Sequence, residues 1–420
     1  MYKEKKRRNQ ASAAVLWDES HLWGLMAVHA LSDAELPFDI INVDDLKNGS
    51  LDKYCLLFVP GGWATHKSVR LGKEGAAAIR EFVVKGGVYF GVCGGAGLAL
   101  EVKGGLGLLP VTRTPTSSRV PSFAGTIEVN LNSTGHGLWR GFSMFRQPVS
   151  FQAWWPSQFS ALPNSADVKV IALYGDPGPD AYSSDIPVAD LNEKAVLWKK
   201  LEESYGILLD PKRINGEPAV ICGKLGNGQV ILSLLHFDTP YDDNGATVLK
   251  NLWALAGVEE GGKSSGELRT LDSAGADLHI YRYASHLIDI GTRNFLWRWR
   301  NPYLIQWRRG VRGLEFCTLY VLTREISRLL SRNSKLAQSL SPEIEEATAM
   351  MKSFTNDAAE LLLMERIELQ TGRITFKDCS NPEVAALREN LFSKSKSHGG
   401  RFKELLDVLD NILFLMYKQL

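Results

Sequence analysis

The segment VYFGVCGGAGLAL (88–100) constrains this chain more than any other. An uninterrupted apolar run, Val88 to Val92, enters Gly91-Val92-Cys93-Gly94-Gly95 and leaves through small residues that suit a helix. An apolar run of this kind reads as a strand buried on both faces. Glycine at 91 and 95 lets the backbone turn sharply from strand to helix, so the Cys93 side chain between them is presented at the carboxyl edge of a sheet. Parallel sheets covered by helices are built from such turns.

The sequence around it keeps the same rhythm. AAVLW (13–17) reads as a strand, Ser20 caps a helix running to about Leu31, Pro37 breaks it, and FDIINV (38–43) and CLLFVP (55–60) are the next strands. GKEGAAAIREFVVKGG (72–87) places Ala77, Ile79, Phe82 and Val83 at helical spacing and stops at Gly86-Gly87. After Pro110, TIEVNL (126–131), VSFQAWW (149–155) and VKVIALYG (168–175) are strand-like without helices of comparable length between them. A proline-rich stretch, 176–218, reads as an insertion with a helical piece around Leu191–Tyr205. AVICGKLGNGQVILSLL (219–235) is a hairpin turning at Gly226-Asn227-Gly228, and a helix from Asn244 to Ala256 ends at Gly257. The expected fold of 12–258 is therefore α/β, a doubly wound, mostly parallel sheet.

Composition separates this part from the rest. Residues 1–260 hold 28 of the 38 glycines, and residues 261–420 only ten. The linker is placed at 259–272, around Gly261-Gly262-Lys263-Ser264-Ser265-Gly266, and an all-α domain at 273–420, with helices over 273–330, 341–370, 382–393 and 401–419. The net charge of +1 excludes a globally basic nucleic-acid binder, but it conceals a +8 segment (281–335) and a −5 segment (341–372). Charge complementarity between them fits packing within a helical bundle, or a homo-oligomer or protein partner. A nucleic-acid or membrane surface at the Trp/Arg-rich 293–313 is the less favoured reading. In 401–420, Leu405, Leu406, Leu409, Ile412, Leu413 and Met416 form one apolar stripe, a core or an oligomer seam.

Three strand ends carry chemistry. Cys93, at a helix start, gains thiolate character from neighbouring amides, although a buried cysteine in a tight turn has the same pattern. VPGGW (59–63) offers the amides of Gly61 and Gly62, as an oxyanion hole requires. VILSLLHFDTP (230–240) ends in His236 with Asp238 two residues on, and in an extended chain both point to one side.

On these motifs, together with IREFVVKGG (79–87) and LGLLP (106–110), residues 12–258 resemble the class I glutamine amidotransferase-like superfamily of flavodoxin-like folds. The closer resemblance is to the amidotransferase-like domain at the N-terminus of biotin–protein ligases and its stand-alone bacterial type. The resemblance implies Cys93 as nucleophile, His236 as base, Asp238 as orienting acid, and Gly62 and Gly94 as oxyanion donors beside Gly61. Where the family has His-Pro-Glu this chain has His236-Phe237-Asp238, one methylene shorter. The adenylate motif of biotin ligases and a nucleotide-binding glycine loop are both absent. In the wider superfamily an early carboxylate contacts the elbow cysteine; here Asp18 and Glu19 are expected as solvated loop carboxylates or, with Trp63 and His66, as pocket residues.

Five cysteines without a C-x-x-C pair argue against a disulfide framework or zinc site, and point to a soluble cytoplasmic protein. The expected function is a thiol-dependent hydrolase or amidotransferase-like activity on a small carbonyl or amide substrate, without cofactor or metal. The alternative is a non-catalytic binding or regulatory module that retains the fold and binds its partner through the helical half.

Overall fold

The computed structural model describes residues 12–132, 135–142, 148–162, 165–191, 195–258, 278–372, 374–375, 379–394 and 398–419. The chain divides into two compact units at 269/270. The expected linker, 259–272, lies outside the described residues.

The first unit opens with β1 (Ser12–Leu16), α1 (His21–Asp33), β2 (Asp39–Ile41), α2 (Val43–Lys47), β3 (Tyr54–Val59), α3 (Ala64–Val84), β4 (Val88–Val92) and α4 (Gly94–Leu98). The two-stranded pair β5 (Val111–Arg113) and β8 (Phe159–Ala161) flanks the long strands β6 (Phe123–Leu131) and β7 (Val149–Trp154). Then come β9 (Lys169–Pro177), the short β10 (Tyr182–Ser183) and β11 (Ile186–Pro187), α5 (Ala195–Tyr205), β12 (Pro218–Leu225), β13 (Gly228–Ser233) and α6 (Asp243–Ala256).

Eleven strands form one sheet in the order β11-β10-β6-β9-β12-β13-β4-β3-β1-β2, with β7 paired to β6. The half β13-β4-β3-β1-β2 is parallel, as the apolar runs require. Every pairing beyond β13 is antiparallel, so the sheet is mixed where a mostly parallel one was expected. Here no crossover helix carries one strand back parallel to the next: β10–β11 and β12–β13 are hairpins, and β9 joins β6 and β12 antiparallel across longer connections.

Two elements differ from the sequence reading. Helix α3 begins at Ala64, eight residues before Gly72, where the backbone leaves helical geometry (φ 61°) and kinks. The added turns bring His66, Lys67 and Arg70 to the carboxyl edge of the sheet. Ser20 sits at the N-cap of α1, but its hydroxyl donates to the Leu16 carbonyl, and α1 starts without a side-chain cap.

The second unit is mainly helical: α7 (His279–Arg293), α8 (Gly313–Arg332), α9 (Ser334–Ser339), α10 (Ser341–Thr371), α11 (Pro382–Phe392) and α12 (Gly400–Gln419). It is not all-α. Trp297–Asn301 and Leu304–Trp307 form an antiparallel hairpin, β14–β15, between α7 and α8. The tip is an Asx turn in which Asn301 Oδ1 accepts the amides of Tyr303 and Leu304. Phe316, Phe354, Phe392 and Phe402 interlock at the centre of the unit. The apolar stripe of α12 is buried there as well. Arg388 of α11 and Arg401 of α12 pair with Glu365 and Asp357 of the acidic α10. No helix among the described residues is long and apolar enough to cross a membrane.

Candidate active site at the carboxyl edge of the sheet

Cys93 stands between β4 and α4 with φ 49° and ψ −102°, a conformation that L-residues avoid. Such strain persists only where surrounding structure enforces it, and here three anchors do. The Cys93 amide donates to Ser233 O (2.8 Å), its carbonyl accepts from the Gly97 amide (2.8 Å), and Tyr89 Oη donates to Gly95 O (2.7 Å). A methyl group on Gly94 would stand 1.9 Å from Gly62 O, so the two proposed oxyanion residues pack backbone to backbone. Helix α4 has only five residues; its dipole is small, and the amides of its first turn, which have no intrahelical acceptor, are the electrostatic resource.

His236 lies three residues past the end of β13, at the start of a turn closed by the Thr239 amide on His236 O (3.2 Å). The segment is bent where an extended one was expected, and the bend carries the carboxylate back onto the ring. Asp238 Oδ1 is 3.0 Å from His236 Nδ1, so the aspartate reaches the imidazole despite its shorter side chain. Both residues are buried. Trp23 of α1 covers the ring (centroids 4.9 Å apart), and Trp155 meets Trp23 edge-on (5.8 Å). Burial of the ring disfavours its charge, but the Asp238 carboxylate, by charge and hydrogen bond, and the Cys93 sulfur outweigh that and raise the His236 pKa to about 9. Nε2 is buried and makes no hydrogen bond among the described residues. No Cys93–His236 hydrogen bond forms among the described residues.

The loop after β3 closes the site. Gly61 packs on Trp23 and on His236, where a methyl group would come within 2.9 Å of Trp23 Cγ and 3.3 Å of His236 Cε1. Gly62 (φ 109°) is pressed against the Glu19 carbonyl, and its amide donates to no residue among those described. Trp63 follows, 41% exposed.

The turn after β1 is part of this wall. Glu19 (φ 55°) and His21 (φ 47°) are both strained. Asp18 and Glu19 are not solvated loop carboxylates. Asp18 accepts from the Val43 amide (2.6 Å) and Arg70 Nε (2.7 Å), which offset the cost of covering its charge, and it braces α2 and α3. Glu19 Oε2 lies 3.8 Å from His21 Nε2 and 3.7 Å from the half-buried His66 Nδ1, beside the Gly62 loop. The turn is held from below by the buried Lys67, whose Nζ donates to Asp18 O (3.0 Å) and Ser20 Oγ (2.5 Å).

Trp23, Trp155, Lys67 and Tyr174 belong to the site and were missed from sequence, where each reads as core or as helix surface. The Tyr174 hydroxyl, buried and bonded to Ser157 O (3.3 Å), has its pKa raised by burial and by the charge of Cys93. Trp155 (φ 51°) and Tyr241 (φ 66°) add two more strained residues near this edge. No group of three or more His, Cys, Asp or Glu side chains among the described residues converges as metal ligands would.

No protein-family model matches the chain, and no curated protein matches it. Solved structures do. A GMP synthase-like protein from Thermoplasma acidophilum is 12% identical, with 59% of this chain and 96% of that one covered and a TM-score of 0.38. A ThuA-like protein from Bacteroides uniformis is 13% identical, with 63% and 99% covered and a TM-score of 0.37. A β-galactosidase from Bacillus circulans sp. alkalophilus is 16% identical over 59% of this chain (TM-score 0.36), and the match spans 31% of the enzyme's length.

Proposed function

We propose that the first unit is a thiol-dependent hydrolase or amidotransferase-like enzyme acting on a small carbonyl or amide substrate. The observation that carries this reading is the buried His236 ring with Nδ1 on Asp238, its pKa raised by that carboxylate and by Cys93, a cysteine held in a strained strand-to-helix turn. The resemblance of 12–258 to amidotransferase-like domains, those of biotin–protein ligases among them, supports the same assignment of roles.

With its pKa raised to about 9 the His236 ring carries a proton on Nε2 as well as on Nδ1, and Cys93 attacks as the thiolate paired with this imidazolium, which Asp238 stabilises. The thiolate sulfur bonds to the substrate carbonyl carbon and the carbonyl π pair moves to oxygen, where the amides of Gly62 and Gly94 accept the charge. Collapse of this intermediate breaks the bond to the leaving nitrogen or oxygen, which takes the proton from Nε2 and leaves a thioester. Water then attacks the thioester, gives a proton to His236, and releases the acid with regeneration of the thiolate. Trp23 and the Gly61 loop keep bulk water from the ring throughout.

Alkylation by iodoacetamide tests the reading. Cys93 is expected to react faster than Cys55, Cys222, Cys317 and Cys379, and to lose that advantage in His236→Ala. Equal rates across the five thiols, unchanged in the variant, identify the site as a non-catalytic binding module.

A further inference from the structure

The last turn of α10 holds a carboxylate that its surroundings leave half unmet. Glu368 is only 8% exposed. Its Oε1 accepts one bond, from Asn381 Nδ2 (3.0 Å), whereas Oε2 has no hydrogen-bond partner among the described residues. The same side chain lines a pocket of about 390 Å³ at the junction of α10 and α11, together with Ser380, Asn381, Pro382 and the exposed Glu383. Neither Glu368 nor Glu383 forms an ion pair among the described residues, although other acids of α10 do, Glu365 with Arg388 and Asp357 with Arg401.

A carboxylate withdrawn from water costs free energy unless a cation or a full set of donors meets it. Position adds to that cost. Helix α10 is 31 residues long, its last turn is the negative end of the helix dipole, and no basic residue stands there. The nearby donors are committed elsewhere. Asn381 Oδ1 caps α11 by accepting the amides of Glu383 (3.0 Å) and Val384 (3.4 Å). The Gly372 amide and Thr371 Oγ1 (3.0 Å) both donate to Glu368 O, not to its side chain. The pocket wall is thus rich in acceptors and negative charge, the complement of a cation that brings its own N–H donors. It offers two carboxylates, an amide and a hydroxyl, without imidazole or thiolate, and no metal-ligating group of three acids, histidines or cysteines forms among the described residues. An ammonium group, with three N–H donors to place, suits such a wall.

We infer that this pocket binds a small organic amine as its ammonium ion, held by Glu368 on the α10 side and Glu383 on the α11 side. The site lies wholly within the second unit and is independent of the thiol reading of the first.

Putrescine is the probe, titrated into the full chain by calorimetry and in thermal melts, with sodium chloride and magnesium chloride at matched ionic strength as controls. It is expected to bind and to raise the melting temperature beyond both controls. Glu368→Gln keeps the side-chain shape and the bond from Asn381 while removing the charge. Putrescine affinity should then fall at least about tenfold, the effect of losing one charge-assisted hydrogen bond. The ligand-free variant should melt no lower than the native chain, since an uncompensated buried charge has gone. A variant that melts lower, in a chain whose native form ignores putrescine, makes Glu368 a purely structural carboxylate and overturns the site. Glu383→Gln, at an exposed position, should also weaken binding, and carries the test alone if Glu368→Gln does not fold. Affinity unchanged in both variants, or a putrescine effect no greater than that of sodium chloride, overturns the pocket. Magnesium that binds and displaces putrescine overturns the amine in favour of a divalent cation.

Discussion

His236 Nδ1 lies 3.0 Å from Asp238 Oδ1, with the ring fully buried and the carboxylate 1% exposed. The pair holds a proton. The ring's pKa rises from 6.5 to about 9 in the folded chain, against its burial, because of Asp238 and Cys93. Between these values the folded state binds a proton that the unfolded state has released, so the slope of stability with pH is negative there. The contribution is complete below pH 6.5 and is lost as pH rises through about 9. In Asp238→Asn burial is left with less opposition, the ring titrates lower, and this slope should flatten. Urea midpoints from pH 6 to 10, with the ring titration followed by nuclear magnetic resonance, check it; parallel profiles for the two proteins would refute the pairing.

Gly94→Ala places a methyl group 1.9 Å from Gly62 O, with backbone on both sides. Neither segment has a side chain that can swing away, so the loop must shift. The expected loss is about 3 kcal/mol, the upper range for overpacking. Denaturant unfolding measures the cost, and a fall in Cys93 alkylation beyond what the unfolded fraction accounts for shows that the Gly62 loop has moved.

Lys67→Met removes the ammonium that ties Asp18 O and Ser20 Oγ under the strained turn at Glu19 and His21. The side-chain volume is nearly kept, so the loss, about 2 kcal/mol, comes from buried acceptors left unmet. Because Glu19 O rests against Gly62, hydrogen exchange should speed up at 18–21 and at 61–63 together. Faster exchange confined to 18–21 would show that the turn does not brace the loop.

In the second unit Arg328 grips Glu325 with two hydrogen bonds (2.6 and 2.8 Å), and Tyr417 Oη donates to the same carboxylate (2.8 Å), all three being buried. Arg328→Met strands the carboxylate and should cost about 3–5 kcal/mol. Tyr417→Phe removes one charge-assisted bond, about 2 kcal/mol. The double variant should fall short of their sum, since both act through Glu325. Thermal melts of the full chain supply all four corners of the cycle.

The parallel half of the sheet, the Cys93 turn and the His236–Asp238 pair were legible because each is encoded locally. Apolar runs give strands, glycines at 91 and 95 give the turn, and a spacing of two keeps imidazole and carboxylate near each other in a bent chain as well as in an extended one. The β14–β15 hairpin was also written locally, as the alternation Trp297-Arg298-Trp299-Arg300 followed by Asn301-Pro302, but the helical segments around it masked that period.

Other features had no local signal. That Trp23 covers His236 and that Lys67 reaches back to the turn after β1 depend on elements far apart in the chain meeting at one edge of the sheet. Sequence determined which side chains are chemically able to act, because residue type and spacing fix reactivity and local backbone. The tertiary structure alone decided which of them face one another, because burial, countercharge and strain are properties of neighbours in space, and these set the His236 pKa.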